Sequence, residues 1–285
     1  MKDGDSVANI DTLKQTVKGA AYILTLQLVS RVVTFAMNIF LVRISSLGTL
    51  GAVFDMELYL STILFLSREP IRMALLRNPT VTKTALQTYV NMAFIPIAIG
   101  ILLMLVGYLY TIAFLNLSYE SWLISSLYSA AILLELWTEP MYIYGSTQFF
   151  YSIRVYAEGS SFVVQCLSTT IQYILYIRQK GSVSTFEGIY AHAVSQLLYS
   201  LTLFSAYYIQ IKTRNIRVSL IQPKYLVVRG NERLFDVYLL KVAYSFMGQS
   251  VLKHCLTVGD KLVLVTMGID SAQKGAFRLV SDLGF

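Results

Sequence analysis

Long apolar runs separated by short polar segments dominate the chain. Six of these runs are about 20 residues or longer, the length that an α-helix needs to cross the hydrocarbon core of a membrane. They cover approximately residues 19–42, 45–67, 87–115, 121–145, 159–177 and 187–211. The pattern therefore predicts an all-α fold, a polytopic bundle of membrane-spanning helices.

The polar segments divide the chain into four regions. Residues 1–16 are a polar N-terminal segment, and residues 17–211 hold the six-helix transmembrane bundle. Residues 212–233 carry six lysines and arginines with one acid, which predicts a basic cytosolic linker. Residues 234–285 contain a less regular apolar stretch at about 235–268, either a tilted, cavity-lining helix or a helix and a turn. We interpret this region as the first helices of an incomplete second bundle.

Three prolines predict irregularities within the apolar runs. A proline removes a backbone hydrogen bond and clashes with the preceding turn of a helix. Pro96 predicts a kink in the third span, and Pro140 predicts a kink or hinge in the fourth. Pro70 lies in the segment Ser67-Arg68-Glu69-Pro70-Ile71-Arg72 and predicts that the second helix breaks there.

The composition agrees with a membrane protein. Of the 285 residues, 55% are hydrophobic and 14% are charged, whereas a soluble domain carries about a quarter charged residues. This deficit excludes a disordered chain and disfavours an ordinary soluble enzyme. The net charge of +7 could indicate a nucleic-acid partner. Because the sequence shows no basic face on a polar domain, we predict no nucleic-acid binding.

Basic residues are distributed unevenly between the two ends of the predicted helices. With a cytosolic N-terminus, fourteen lysines and arginines fall on the cytosolic side, and Arg43, Arg178 and Lys180 fall on the other. Since cytosolic loops carry an excess of basic residues, the N-terminus is predicted to be cytosolic. The tripeptide Asn116-Leu117-Ser118 is a glycosylation sequon on the opposite side. It borders the membrane, and its occupancy stays open.

Several ionisable residues lie within the predicted helices, where a charge at the bilayer centre costs at least about 2.5–3.5 kcal/mol. They are Arg31, Asp55, Glu57, Glu135, Glu139, Lys253, Asp260 and Lys261. One interpretation is internal pairing that locks the bundle, for example of Arg31 with Asp55, Glu57 or Glu135. The other is a hydrophilic cavity that accepts a polar or anionic head group. The choice stays open for the acids, but for Arg31 and Lys253 we favour the cavity, because a transporter of an anion needs fixed cations.

Two further arginines, Arg68 and Arg72, lie one turn apart if their segment is helical. Guanidinium groups at this spacing can bind a phosphate through paired hydrogen bonds. Ordinary anchoring of the helix on the cytosolic side is the alternative. The sequence has neither a glycine-rich phosphate loop nor a paired-histidine metal motif. We therefore predict no enzymatic activity, no metal site and no cofactor.

Four blocks of sequence resemble those of a known family. They are VTFAMNIFLVR after Arg31, FLSREPIRMALLR (65–77), ELWTEPMYIYGSTQFF (135–150) and KHCLTVGDKLVL (253–264). In spacing and order these blocks resemble the Rft-type oligosaccharide-translocation proteins of the eukaryotic endoplasmic reticulum. That family is similar in architecture to the multidrug/oligosaccharidyl-lipid/polysaccharide exporters. The matching blocks run through the whole chain.

The resemblance implies a fold of two helical bundles around a central cavity, of which this chain would be the N-terminal half. It implies movement of the mannosylated diphosphodolichol oligosaccharide, an N-glycan precursor, from the cytosolic to the lumenal leaflet of the endoplasmic reticulum membrane. The implied partners are this lipid-linked oligosaccharide and membrane lipids, and protein partners stay unknown. A non-transporting auxiliary factor or a component of a lipid scramblase is the alternative. A membrane glycosyltransferase is disfavoured, because no acidic donor-site motif is visible.

The resemblance also carries candidate residues by matching position. The head group of the lipid would be held by Arg31, Arg68, Arg72 and Lys253. Counter-charges or gates would be Glu69, Glu135, Glu139, Asp260 and Lys261. The chain departs from the family in two ways. Val258 stands where the family commonly has an acid, and the family members run to roughly twice this length.

Overall fold

The computed structural model describes residues 44–77, 83–114, 119–213, 226–228, 231–233 and 235–283, with single positions between 17 and 39. Arg31, the Asn116 sequon and most of the basic linker lie outside the described residues. The first predicted span is described only at those single positions. Continuous structure is therefore described from the second predicted span onward.

The described segments are helical except for one short hairpin. In chain order the helices are α1 (Leu47–Leu76), α2 (Lys83–Met92), α3 (Ile95–Phe114), α4 (Tyr119–Trp137), α5 (Glu139–Thr147), α6 (Tyr151–Lys180), α7 (Thr185–Lys212), α8 (Val237–Thr266) and α9 (Ser271–Leu283). Between α7 and α8, strand β1 (Leu226–Val228) pairs antiparallel with β2 (Asn231–Arg233). The prediction of an all-α fold is confirmed, and the hairpin is a local addition in the region predicted as a linker.

Two described helical segments are long and apolar enough to cross a membrane, namely Leu47–Leu76 and Leu86–Leu109. They match the second and third predicted spans. The fourth apolar run coincides with α4 and α5, the fifth with α6 and the sixth with α7. The fold class, a membrane helical bundle, is confirmed, whereas the number of crossings and the division into domains stay predictions.

Local side-chain signals set where several helices begin. Ser46 caps α1 by accepting a hydrogen bond from the Thr49 backbone N–H at 3.2 Å. Ser184 and Glu187 form a reciprocal capping box at the start of α7. Asp236 caps α8 through the Tyr238 N–H at 2.8 Å. Such caps satisfy backbone donors that have no partner within the helix.

Two of the three proline predictions are confirmed. The α-helix is interrupted between α2 and α3, just before Pro96, and again at Thr138, two residues before Pro140, although Thr138 keeps right-handed helical φ and ψ (−79°, −13°). The stretch at 235–268 is one helix, α8, with a kink at Val258 (φ −124°, ψ 15°). The predicted spans are therefore interrupted segments, and the interruption at Thr138 lies beside the candidate site.

The prediction for Pro70 was wrong, because α1 continues through this proline to Leu76. Side-chain donors contact carbonyls in the turn before it: the Ser67 hydroxyl donates to Ile63 O, and Arg68 Nε donates to Leu64 O at 3.2 Å. Hydroxyl groups and packing against neighbouring helices are what allow proline inside membrane helices. Ser67 and Ile71 on either side are buried against such neighbours.

Helix α1 lies at the centre of the described bundle and packs against α3, α4, α8 and α9. Its C-terminal half shares one core with α2, α5 and α8, through residues such as Leu75, Met92, Ile143 and Leu239. A second core joins α2, α5, α6 and α7. Because α1 is buried on several sides, its polar residues must face neighbouring helices or cavities.

Helices α1 and α9 approach each other through two glycines. A Cβ atom added to Gly51 would lie 1.8 Å from Ser271 O, and one added to Gly275 would lie 2.0 Å from Leu47 O. Small residues permit this close backbone approach between membrane helices. The crossing brings polar side chains further along α1 within reach of α9.

Candidate functional site

A polar cavity of about 480 Å³ opens between α1, α4, α6 and α7. Its lining residues are Glu57, Leu60, Ser61, Leu64, Phe65, Arg68, Glu69, Arg72, Glu135, Phe162, Gln165, Gln196 and Tyr199. Four of the nine residues predicted for the site lie on this wall, namely Arg68, Glu69, Arg72 and Glu135. The cavity volume falls in the range of small-molecule sites, about 300–1,000 Å³.

Two arginines and two glutamates form the centre of the site. Arg72 binds Glu139 through two parallel hydrogen bonds, Nε to Oε2 at 2.8 Å and Nη2 to Oε1 at 2.5 Å. Arg68 Nη1 lies 3.4 Å from Glu139 Oε1 and 3.5 Å from Glu135 Oε2. Glu139 is 1% exposed and Glu135 is 5% exposed. Two buried carboxylates thus face two guanidinium groups.

The sequence builds this cluster through helix geometry. Because α1 is continuous through Pro70, Arg68 and Arg72 lie one turn apart on one face, as predicted for a helical segment. Glu135 lies in the last turn of α4, and Glu139 begins α5 after the break at Thr138. Both carboxylates still reach α1. The Arg72 guanidinium also lies over the ring of Tyr142, 3.9 Å from its centroid, which holds it in place.

The arginines retain binding capacity towards the cavity. Their side chains are 20% and 24% exposed. Within the described part of the chain, Arg68 Nη2 and Arg72 Nη1 donate no hydrogen bond. The lining combines two cations with three carboxylates. An anion would therefore bind through the remaining guanidinium donors or by displacing a carboxylate.

Internal pairing, one of the two open interpretations, is present for several of the described charges within the helices. The proposed pairing of Arg31 lies outside the described residues and stays a prediction. Asp55 binds Lys274 at 2.9 Å and Glu57 binds Arg278 at 2.8 Å, both across the α1–α9 crossing. Lys274 and Arg278 were not predicted as partners. They lie 219 and 221 residues from these acids along the chain, and only the packing of α9 on α1 brings the charges together.

Of the remaining predicted residues, Lys253, Asp260 and Lys261 lie on α8, and Arg31 lies outside the described residues. Lys253 binds Glu69 at 2.6 Å, which places it at the edge of the cavity. Asp260 is exposed and accepts a hydrogen bond from the Lys261 N–H at 2.8 Å. Lys261 Nζ lies 5.7 Å from the ring centroid of Phe54. Neither Asp260 nor Lys261 is among the lining residues of the cavity, and both follow the kink at Val258.

The four lining residues of α6 and α7, all neutral, were absent from the predicted site. Gln165 Nε2 donates to Gln196 Oε1 at 2.7 Å, and Gln196 Nε2 donates to Glu135 Oε1 at 3.0 Å. Phe162 and Tyr199 lie beside these amides, with ring centroids 5.3 Å apart. Uncharged amides within predicted spans were the available signal, since polar side chains there also need partners.

A second, mostly apolar cavity of about 290 Å³ lies near the start of α1. Asp55, Tyr59 and Tyr108 are among its lining residues. Among the described residues, no group of three or more histidines, cysteines or acids is placed to hold a metal ion. Of these two cavities, the polar one is larger and has both cations and carboxylates in its lining.

Comparisons with known proteins show what the chain is similar to. The family model described as "Rft-1: Rft protein" matches residues 15–285. A relative from Candida albicans is 30% identical over 94% of this chain and 50% of its own length. Relatives from Dictyostelium discoideum and Saccharomyces cerevisiae are 29% and 28% identical, over 100% and 95% of this chain and 54% and 55% of their own.

All three relatives bear the same name, "Man(5)GlcNAc(2)-PP-dolichol translocation protein RFT1". The chain spans about half the length of these curated relatives. No solved structure matches the chain.

Proposed function

Because the chain belongs to the Rft protein family, we propose that it contributes the head-group cavity of a lipid-linked oligosaccharide translocator. The proposed substrate is the mannosylated diphosphodolichol intermediate of N-glycan precursor assembly, as the relatives' names suggest. The proposed movement runs from the cytosolic to the lumenal leaflet of the endoplasmic reticulum membrane. A diphosphate that carries a glycan needs such a protein, because burying its polar and charged groups in hydrocarbon is prohibitively costly.

The observation that carries this proposal is the arginine pair in the polar cavity. Arg68 and Arg72 line a space of about 480 Å³. Each has a terminal guanidinium nitrogen that donates no hydrogen bond in the described part of the chain. Planar guanidinium groups bind phosphate oxygens through paired hydrogen bonds, which a lysine cannot do. The diphosphate would sit here while the polyprenyl tail stays in lipid.

In this proposal Glu135 and Glu139 act as counter-charges of the arginines before the diphosphate binds. Glu135 and Glu139 neutralise the arginines while no anion is present. An incoming diphosphate competes for the same donors, so that binding loosens the contacts between α1 and the α4–α5 break. The Lys253–Glu69 pair joins α8 to α1 at the cavity edge. Movement of α8 relative to α1 would then open or close the site, as in transporters whose bundles rock around a central site.

The proposal is tested by leaflet movement of a labelled lipid-linked oligosaccharide in vesicles that contain the purified full-length protein. We expect exchange well above that of empty vesicles. The variants Arg68→Ala and Arg72→Ala should each slow it at least about tenfold, the effect of losing one charge-assisted hydrogen bond. Arg178→Ala, an exposed arginine at the end of α6, is the matched control and should leave the rate unchanged. A wild-type rate equal to that of empty vesicles would contradict the proposal.

A second candidate, a non-transporting auxiliary protein, is favoured by the ion pairs themselves. Arg68, Arg72 and Lys253 each bind a carboxylate, as a purely structural lock requires. The exchange variant Arg72→Glu with Glu139→Arg distinguishes the two candidates, because it preserves the pair and moves the cation. If the exchange variant folds like the wild type but has lost its function, head-group binding is supported. If it retains both folding and function, a purely structural ion pair is supported.

A further inference from the structure

We infer that the cavity has a second binding face that recognises the sugars next to the diphosphate, an inference that rests on the proposed function. This face, the amide–aromatic wall, consists of Phe162 and Gln165 on α6 and Gln196 and Tyr199 on α7. The opposite face, on α1, holds the diphosphate. The ligand class of the wall is a neutral sugar with hydroxyl and amide substituents, attached to the phosphate.

The two faces of the cavity differ in charge. Every charged lining residue belongs to α1 or α4, whereas the lining residues of α6 and α7 are two amides and two aromatic rings. Cations suit phosphate oxygens. A sugar carries no charge but presents many groups that both donate and accept hydrogen bonds. Glutamine amides also do both, with two N–H donors and a carbonyl acceptor.

Hydrogen bonds orient the amides so that polar atoms remain for a ligand. Gln165 uses one N–H on Gln196, and Gln196 uses one N–H on Glu135. Within the described part of the chain, Gln165 Oε1 accepts no hydrogen bond and each amide has a second N–H without a partner. Because both residues line the cavity and neither is buried, these atoms are accessible to a bound molecule.

The aromatic pair supplies an apolar surface beside the amides. The rings of Phe162 and Tyr199 are inclined at 53°, with centroids 5.3 Å apart. Sugar rings have an apolar face of C–H groups. This face packs against the apolar rings of aromatic side chains. Amides beside aromatic rings therefore match both the rim and the face of a sugar ring.

Glu135 joins the two faces. Its Oε2 lies 3.5 Å from Arg68 Nη1, while its Oε1 accepts from Gln196 at 3.0 Å and lies 3.5 Å from the Ser200 hydroxyl. A ligand that displaces Glu135 from Arg68 thus also changes the position of Gln196. This coupling places the recognised sugar directly next to the diphosphate. A cavity of about 480 Å³ suits a diphosphate with one or two sugars rather than a whole large glycan.

The test compares two short-chain polyprenyl diphosphates, one carrying N,N′-diacetylchitobiose and one without sugar, for binding to the purified full-length protein in detergent. We expect the wild type to bind the chitobiosyl lipid about 10- to 100-fold more tightly, as two or three hydrogen bonds predict. Gln165→Leu should reduce this preference to nearly one, while its affinity for the sugar-free lipid stays unchanged. That second affinity also shows that the variant is folded.

The matched control is Gln172→Leu, which removes a glutamine of the same helix whose amide binds Ser168 and Ser195. It should retain the preference. Gln165→Asn, which retracts the amide by one carbon, is the second variant and should lose most of the preference even if the leucine variant fails to fold. Arg68→Ala should weaken both lipids equally.

Equal wild-type affinity for the two lipids, or equal losses for both lipids in Gln165→Asn, would overturn the inference. This outcome is separable from failure of the proposed function. If the protein prefers the chitobiosyl lipid but moves no lipid between leaflets in vesicles, it binds the glycan without translocating it. If it moves the lipid-linked oligosaccharide but shows no sugar preference, it is a translocator that recognises the diphosphate and the lipid.

Discussion

Glu139 is the residue on which the candidate site depends most. It is almost completely buried and accepts hydrogen bonds from both Arg68 and Arg72. A buried ion pair contributes little net stability when it is intact, but removal of one partner leaves an uncompensated buried charge. Here two cations share one carboxylate, so the penalty for losing it is large.

Replacement of Glu139 by glutamine should lower the free energy of unfolding by about 3–5 kcal/mol. The matched control is Glu158→Gln, which breaks the more exposed pair between Arg154 and Glu158 on α6 and should cost about 0.3–0.5 kcal/mol. Denaturant titration in mixed micelles measures both. Equal losses for the two variants would show that Glu139 is no more important than an ordinary helix-surface acid.

At the level of elements, α1 organises the described bundle. It carries Asp55 and Glu57 towards α9, Glu69 towards α8, and Arg68 and Arg72 towards α4 and α5. At the α1–α9 contact the two backbones approach closely, because Gly51 and Gly275 have no side chains there. Ion pairs at 2.9 and 2.8 Å follow along the same crossing. We call this arrangement the α1–α9 clasp.

Substitution of Gly275 by valine should separate α9 from α1 and open the clasp. The added Cβ would lie 2.0 Å from a backbone oxygen of α1, which no side-chain movement can relieve. We expect destabilisation of at least about 1–3 kcal/mol, read as a lower thermal unfolding midpoint. Gly248→Val in α8, where nothing lies within 4 Å of the added atom, controls for the helix propensity of valine. A midpoint no lower than that of the control would argue against the tight crossing.

Charge exchange tests the ion pair of the clasp directly. Asp55→Lys alone places two cations together, and Lys274→Asp alone places two acids together, so both single variants should be destabilised. The double variant restores opposite charges and should recover most of the loss, with a coupling energy of about 0.5–3 kcal/mol. Thermal unfolding of the four proteins gives this energy. Purely additive effects would mean that the two residues do not interact.

For the whole molecule, the arginine pair and the α1–α9 clasp lie in different halves of α1, and Glu57 of the clasp also lines the cavity. Asp55 and Glu57 are near its start, whereas Arg68 and Arg72 are near its end. With the predicted cytosolic N-terminus, the clasp lies towards the lumen and the arginine pair towards the cytosol. In that orientation α1 and α9 are joined on the lumenal side, and the proposed head-group site faces the leaflet from which the substrate is proposed to come.

The predicted orientation can be checked with single cysteines in a background that lacks Cys166 and Cys255. A cysteine at Thr213, after α7, should react with a membrane-impermeant maleimide in intact microsomes. A cysteine at Ser182, between α6 and α7, should react only after detergent opens the vesicles. The physical basis is the uneven distribution of lysines and arginines between the two ends of the helices. The reverse labelling pattern would show that the topology is the inverse of the predicted one.

Several features of the fold and site were predictable because they depend on local sequence. Apolar runs long enough to cross a membrane predicted the helices. Pro96 and Pro140 predicted two of the interruptions between them. Helical spacing placed Arg68 and Arg72 on one face. Local reasoning gave the wrong result at Pro70, because the packing of Ser67 and Ile71 against neighbouring helices outweighs the lost backbone hydrogen bond.

The sequence by itself determined that the chain is a membrane helical bundle with charged residues inside its spans, since length, hydrophobicity and residue type are properties of the chain. Only the tertiary structure decided the partners. Arg72 and Glu139 are 67 residues apart, and Lys274 and Asp55 are 219 apart. Which charges meet over such distances depends on how each helix is rotated and where it crosses α1. Helical periodicity determines on which face of its own helix a residue lies. The packing of the helices together determines which residues that face contacts.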